Sequence, residues 1–517
     1  WDILRPERKE RIMSKEAVIW IVIAVYGVFM LAVGILNSKK GSGGMADFTV
    51  GGRNAGAWIS ALSYGTAYFS AVMFIGYSGG SGWQFGLYST LVGLGNAVFG
   101  SLLAWLVLAR RTREVTRRLH IKSMPQLFER RYESPGMRLF SCIVIFVFLL
   151  PYSASVYKGL TSVCSVLLGI DEQVCMIMIA LASAVVLVLG GYMATLKADF
   201  VQGIVMMFGI SILVVMVILS PQVGGLSEGI FNMRRAMRET GITPLSGSAV
   251  VSLTATVLMT SFGTWGLPQM VHKYYGIRDD KEVKRGTVIS TFFAVLVAGG
   301  GYFIGSFSHL FFTELPQGGK DYLIPNMLNM ANLPTVLIGV VLVLLISASV
   351  STLSSISLTA CSTLSMDLIK NRLKPQMEDR KVAQLTRLLC LLFVVLSYVV
   401  ANTDTPILEL MSYSWGILSG SFLAPYALSL YFKRINRAGA WAGMLSGFVI
   451  ASMPVVAKLC LSGWQAPFGL GLMMNQGPLF ACLAMVASAL MCFVGSALAA
   501  RFGRTQDASF FYQKSST

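Results

Sequence analysis

Stretches of apolar residues long enough to cross a hydrocarbon core of roughly 30 Å recur from one end of the chain to the other. Their approximate bounds are 17–36, 57–80, 85–108, 139–168, 174–189, 200–219, 250–274, 288–312, 335–364, 385–400, 407–432, 438–461 and 479–499. The pattern predicts an all-α polytopic membrane protein with about thirteen transmembrane helices. Met13 followed by Ser-Lys-Glu-Ala reads as a translation start. Residues 1–16 are therefore expected to be a tail whose first twelve residues lie upstream of the native chain.

Two spans make poor continuous helices. Residues 61–82 interleave Gly65, Gly76, Gly79, Gly80 and Gly82 with serines and tyrosines, and residues 259–269 hold Gly263, Gly266 and Pro268. Glycine and proline both disfavour a helix interior. Irregular backbone survives at membrane depth only where protein or a polar cavity satisfies it. Interrupted spans at matching places in two halves point to a transport site. Setting aside the N-terminal helix at 17–36, the breaks fall in the first and sixth spans. That spacing predicts two five-helix repeats of opposite orientation, at 57–219 and 250–432. Two further helices at 438–499 and a tail at 500–517 follow. Close packing through small residues would explain either segment alone; the matched pair favours a site.

The eighth span of this count carries a stripe of hydroxyls. Ala348, Ser351, Thr352 and Ser355 follow the i, i+3, i+4, i+7 spacing of one helix face, with Ser354 beside it. Neutral hydroxyls and carbonyls can replace the water of a hard cation such as sodium without trapping it. A single such hydroxyl would more simply bond its own backbone or serve in packing. Four of them clustered near two broken helices favour an ion site.

Charge changes the picture in two ways. Only 13% of residues are charged, yet the formal net charge is +17. The cations gather in alternate loops, at 110–138, 278–285, 370–387 and 433–437. Positive loops face the cytoplasm, which predicts an outside N-terminus, a cytoplasmic C-terminus and a multi-pass protein of the cell membrane. The arginines at 234, 235 and 238 are an exception to that alternation. The same distribution argues against a nucleic-acid partner. The eight cysteines lie within or beside apolar segments without a CxxC, so neither a disulfide framework nor a zinc site is expected. His120, His272 and His309 are scattered without a metal or acid–base pattern, so no enzyme and no cofactor is expected, and they read as surface or interface residues. No channel-like filter run is present.

At these residues the chain resembles the sodium/solute symporter family, which includes bacterial sodium/proline, sodium/galactose and sodium/sialic acid transporters. The resemblance runs from Phe48-Thr-Val-Gly-Gly-Arg53 to Tyr431-Phe-Lys-Arg434, and residues 348–355 are similar to the family's sodium motif. It implies a LeuT-type 5+5 inverted repeat with an extra N-terminal helix, and sodium as coupling ion. It also implies a main sodium site from the carbonyls of Thr66, Phe69 and Ala348 and the hydroxyls of Ser351 and Thr352. Some members bind a second sodium through an Asp and two serines, which here correspond to Asp199, Ser354 and Ser355. Asp199 reads equally well as an interfacial cap or an ion-pair partner of Lys197. Where sugar transporters carry Asn, Glu and Gln, this chain has Tyr68, Val72 and Met73, and Tyr68 also replaces the Asp of proline symporters.

The expected function is sodium-coupled import of a small organic solute, an amino acid or organic acid before a sugar, by alternating access. A membrane sensor that has lost transport is the alternative. The solute is expected at the midplane between the breaks, walled by Tyr68, Met73, Thr264, Trp265, Gln269, Tyr413 and Trp415. Lys158 lies a few turns inside its span, where a free ammonium costs at least ~2.5 kcal/mol. It either pairs with a substrate carboxylate or snorkels toward a protein acid. The expected partners are the solute, sodium and lipid; the oligomeric state is not legible.

Overall fold

The structure, a computed structural model, describes residues 15–38, 53–189, 192–242, 246–460, 476–503, 506 and 508–512. The expected tail through residue 14, the beginning of the Phe48–Arg53 motif, residues 461–475 and the last five residues of the expected C-terminal tail lie outside the described residues.

The described chain is helical, with a single isolated bridge between Ala55 and Ile277. Helix α1 (Lys15–Ser38) is followed by the first interrupted span. This consists of α2 (Ala57–Tyr68), a wide π turn at Val72–Tyr77 and α3 (Ser78–Phe85). Next come α4 (residues 90–118, with π turns at Asn96–Leu103 and Trp105–Ala109), the short α5 (Met124–Tyr132) and α6 (Pro135–Leu168). Helices α7 (Glu172–Leu189) and α8 (Tyr192–Ile218) complete the first set, and the short α9 (Leu226–Glu239) lies in the connection that follows.

The second set opens on another interrupted span. Helix α10 (Gly247–Phe262) runs into a 3-10 turn at Gly263–Gly266, and α11 (Pro268–Tyr275) restarts at a proline in its first turn. Helices α12 (Asp280–Gly305), the short α13 (Leu323–Met330), α14 (Thr335–Thr363), α15 (Asp379–Ala401) and α16 (Ile407–Tyr431) follow. Helices α17 (Arg437–Cys460) and α18 (Gly477–Arg501) pack on each other and on α16, and α19 (Ser509–Tyr512) is a last single turn. Nine helical segments among the described residues are long and apolar enough to cross a membrane.

Burial separates centre from rim. The apolar window of α14 is 72% buried, against 33% for α15, α17 and α18, so α14 is the central helix. The N-terminal helix is tied to it: Ser347 donates to Tyr26 Oη at 2.7 Å, and Gln202 on α8 reaches the same oxygen at 3.4 Å.

The two breaks have different local causes. At the second, Pro268 pushes Leu267 into extended backbone (φ −79, ψ 120) and lacks the amide that would continue the helix. At the first, Phe69 is extended (φ −104, ψ 108) although neither proline nor glycine is present there. The helix restarts when Ser70 Oγ accepts from the Val72 amide at 3.2 Å. The ends of α2 and α11 that lie away from the breaks are tied together. Ala55 N–H donates to Gly276 O at 3.0 Å and Arg278 N–H to Ala55 O at 3.1 Å. Glu282 Oε2 accepts from Ala57 N–H and caps α2 in place of Gly56, which has no side chain to do so.

Close helix crossings fix the breaks against their neighbours. A Cβ on Gly82 would lie 1.9 Å from the Gly305 carbonyl oxygen, and one on Gly266 would lie 2.8 Å from Ser419 Cα. Gly82→Ala should therefore destabilise the fold by about 1–3 kcal/mol, because backbone rather than a flexible side chain has to move. Gly299→Ala meets nothing within 4 Å and serves as the control. Thermal denaturation of both variants in detergent checks this; equal midpoints would contradict the packing described.

Candidate functional site

A helix that ends inside the membrane leaves carbonyls without intrahelical partners, and the partial negative charge of its C-terminus collects there. Helix α2 ends in this way. Two of its terminal carbonyls are met from other elements: Thr352 Oγ1 lies 3.0 Å from Thr66 O, and Tyr152 Oη lies 3.5 Å from Ala67 O. Thr352 Oγ1 is also 2.9 Å from Ala348 O. One hydroxyl proton can serve only one of two carbonyls at a time. Three oxygens thus converge, all from fully buried residues. That arrangement suits a small cation, which would draw on all three.

The stripe on α14 continues into a buried ionic network. Asp199 on α8 is at 0% exposure. Its Oδ1 accepts from Ser351 Oγ at 2.9 Å, and its Oδ2 accepts from Ser63 Oγ at 2.5 Å. Lys273 on α11 places its ammonium 3.1 Å from Asp199 Oδ2, 2.8 Å from Ser63 Oγ and 2.9 Å from Ser355 Oγ. Four helices (α2, α8, α11 and α14) meet at these groups. Of the sodium-site residues expected from sequence, Thr66, Ala348 and Thr352 come together directly. Ser351, adjacent to Thr352 on α14, donates instead to Asp199, and Phe69 is the extended residue that follows α2. Ser355 belongs to the ionic network, and Ser354 is buried next to it.

Lys273 and Ser63 were not singled out from the sequence. Lys273 falls at the end of the span expected at 250–274. A usable signal was present: an acid inside one span needs a compensating charge, and Lys273 follows Gln269 by one helical turn. The sequence offered Lys197 as a partner for Asp199; the structure supplies Lys273. His272 also differs from expectation, being 8% exposed on α11 rather than in a loop, and His309 is buried with its ring stacked on Trp83.

The expected solute wall divides. Tyr68 and Trp415 lie with ring centroids 6.0 Å apart, and Tyr152 meets Trp415 edge-on at 5.7 Å. Tyr68 Oη donates to Thr260 O at 2.6 Å. Thr264 is buried in the second break, and Gly263 beside it faces the Trp415 ring. Gln269, in the first turn of α11, is 1% exposed, and neither atom of its side-chain amide has a hydrogen-bond partner. These four residues surround the breaks.

The other three, and Lys158, turn elsewhere. Met73 packs toward Gly301 on α12, and Trp265 donates to Phe99 O on α4 at 2.9 Å. Tyr413 donates to Glu409 and lines a 170 Å³ cavity with Tyr77, Ser81 and Lys320 on the α3 side of the first break. Lys158 is not brought to the breaks. Its ammonium donates to the carbonyls of Thr403 and Thr405 in the loop before α16. Its long stem lets the charge reach that loop and its acids. There Asp321 accepts from Ile407 N–H at 3.0 Å. Burial pushes the Asp321 carboxyl above its ordinary value, with the Ile407 amide and then Lys158 pulling the other way.

Among the described residues no group of three or more His, Cys, Asp or Glu could hold a metal. The site offers neutral oxygens, one neutralised carboxylate and aromatic faces. This chemistry can hold an alkali cation and a small solute.

Comparison with known proteins bears on that chemistry. The profile of the sodium:solute symporter family matches residues 48–447. The chain is 26% identical over 435 residues to the osmoregulated proline transporter of Bacillus subtilis, covering 83% of this chain and 86% of the relative. It is 24% identical over 442 residues to the sodium/proline symporter of Staphylococcus aureus, covering 83% and 84%. Among solved structures, a Na+-coupled sialic acid symporter in a substrate-bound outward-open state superposes with a TM-score of 0.75. That alignment has 17% identity and covers 93% of this chain and 97% of the other. A nucleobase-cation-symport-1 family transporter in a closed conformation gives 0.54 at 11% identity, covering 88% and 95%. The shared architecture is the LeuT-type inverted repeat read from the two breaks. With the match spanning most of its length, the chain belongs to the sodium:solute symporter family, and it is a multi-pass membrane transporter.

Proposed function

We propose that this protein imports a small amino acid, driven by sodium that binds between the end of α2 and the hydroxyls of α14. The observation that carries this reading is the position of Thr352 Oγ1 within 3.0 Å of two carbonyls from different helices. The proposed ligands are the carbonyls of Thr66, Phe69 and Ala348 and the hydroxyls of Ser351 and Thr352. Ser351 spends its proton on Asp199, so its lone pairs are free to face a cation. The orientation is an outside N-terminus and a cytoplasmic C-terminus in the cell membrane, supported by the basic loops at 110–138 and 370–387.

Coupling follows from where the ion sits. Sodium draws the unwound end of α2 onto α14, which favours the state open to the outside. Solute then closes the wall formed by Tyr68, Thr264, Gln269 and Trp415. Rocking of the broken helices against α14 exposes both to the cytoplasm, and sodium release lets α2 and α14 part. The membrane potential contributes ~2.3 kcal/mol per 100 mV for each net charge moved.

The proline-transporting relatives and the uncharged wall support an amino acid over a sugar. The buried, unpartnered amide of Gln269 can both donate to a carboxylate and accept from an ammonium. Tyr68 stands where proline symporters carry an Asp, so the wall supports the amino-acid class rather than proline in particular. Amino acids should raise the thermal midpoint of the purified protein in sodium and not in potassium. A shift produced by sugars alone would overturn the solute assignment.

Replacing Ser351 and Thr352 together by Ala should weaken sodium activation of uptake in proteoliposomes at least about tenfold, equivalent to ~1.4 kcal/mol. Uptake that keeps its sodium dependence in that variant would refute the ion site. Lys158→Ala should leave the concentration for half-maximal uptake within about twofold, since each kcal/mol lost from a solute contact would shift it several-fold. A larger loss of solute affinity would return Lys158 to the binding wall.

A further inference from the structure

We propose that the Lys273 ammonium is a tethered cation that holds the position beside Asp199 which a second sodium ion would need. On this proposal the protein carries one sodium per cycle, at the Thr66–Thr352 site alone. The inference rests on the sodium-coupled reading above and concerns its stoichiometry.

The oxygens around Lys273 Nζ are one carboxylate and two hydroxyls, drawn from three helices: Asp199 on α8, Ser63 on α2 and Ser355 on α14. A carboxylate with neutral oxygens is a donor set suited to a hard cation. Here an ammonium with three N–H donors meets it, at 2.8–3.1 Å. Asp199 and Lys273 are 0% and 4% exposed, so water does little to screen them. One carboxylate and one ammonium leave the place neutral. A sodium ion added there would leave an uncompensated positive charge in a site closed to solvent.

The cation is also fixed to the chain. It sits at the end of a four-carbon stem on the half-helix that follows the second break, so it can withdraw from Ser355 when α11 moves and return without being released. Asp199 remains bonded to Ser351 through its other oxygen. The tethered charge thereby orients a hydroxyl of the neighbouring sodium site.

Counting bound radiosodium on the purified full-length chain, with intrinsic tryptophan fluorescence to follow each titration, tests the assignment. The wild type should bind one sodium per chain with a hyperbolic titration. Lys273→Gln and Lys273→Met should each bind two, and sodium should raise their thermal midpoints more than that of the wild type. Asp199→Asn combined with Lys273→Gln, which leaves no unpaired buried charge and so guards against misfolding of the single variants, should return the count to one. Two ions on the wild type would overturn the proposal. A count still at one in the folded Lys273 variants would do the same, as would loss of all sodium from the folded double variant, since Asp199 would then belong to the first site. A wild type that binds no sodium would instead remove the sodium-coupled reading itself.

Discussion

Backbone polar groups have no water to turn to inside a membrane, and two spans of this protein leave their helical ladders at that depth. Each interruption has to be satisfied by a neighbour. The freed carbonyls of α2 receive side chains from α14 and α6, through Thr352 and Tyr152. Central placement of α14 follows from that requirement, since it must face the first break along a polar stripe while remaining covered on its other sides. The site is the set of oxygens left over when broken backbone is made tolerable.

A second constraint is electrostatic. A carboxylate buried on α8 is costly without a partner charge, and α11 supplies the ammonium that pairs with it. The pair draws in Ser63, Ser351 and Ser355, so one ionic contact joins both broken spans to α8 and α14. Its placement one helical turn from Thr66 and Thr352 matters. Movement that separates α2 from α14 must disturb the carbonyl–hydroxyl contact and the ionic network together. A transporter that alternates between two states needs contacts that break as a group, because packed interfaces switch rather than deform smoothly.

The aromatic side chains divide between these two levels. Tyr68, Tyr152 and Trp415 gather at the breaks, while Tyr64, Trp105 and Tyr274 pack together with centroids 5.5–5.7 Å apart. The second group links α2, α4 and α11 beside the ionic network, and the Ala55–Ile277 pairing ties the same half-helices at their far ends. The two half-helices are therefore tied to one another as a block, and the breaks separate each from the rest of its span.

Patterning alone determined the all-helical membrane class, the approximate spans, the two interruptions and the hydroxyl stripe. Each is a local property: length of an apolar run, glycine and proline content, or the 3.6-residue period on one face. The stripe at Ala348, Ser351, Thr352 and Ser355 was legible because helical geometry alone places those residues together. Tertiary structure decided which groups face one another across helices. It turned Lys158 to the loop at Thr403 and Thr405, and Trp265 to Phe99, because long side chains settle where distant carbonyls happen to lie. It also paired Asp199 with Lys273, seventy-four residues away. Neither period nor spacing carries that information, since an ion pair between helices depends on how they pack and not on where they stand in the chain.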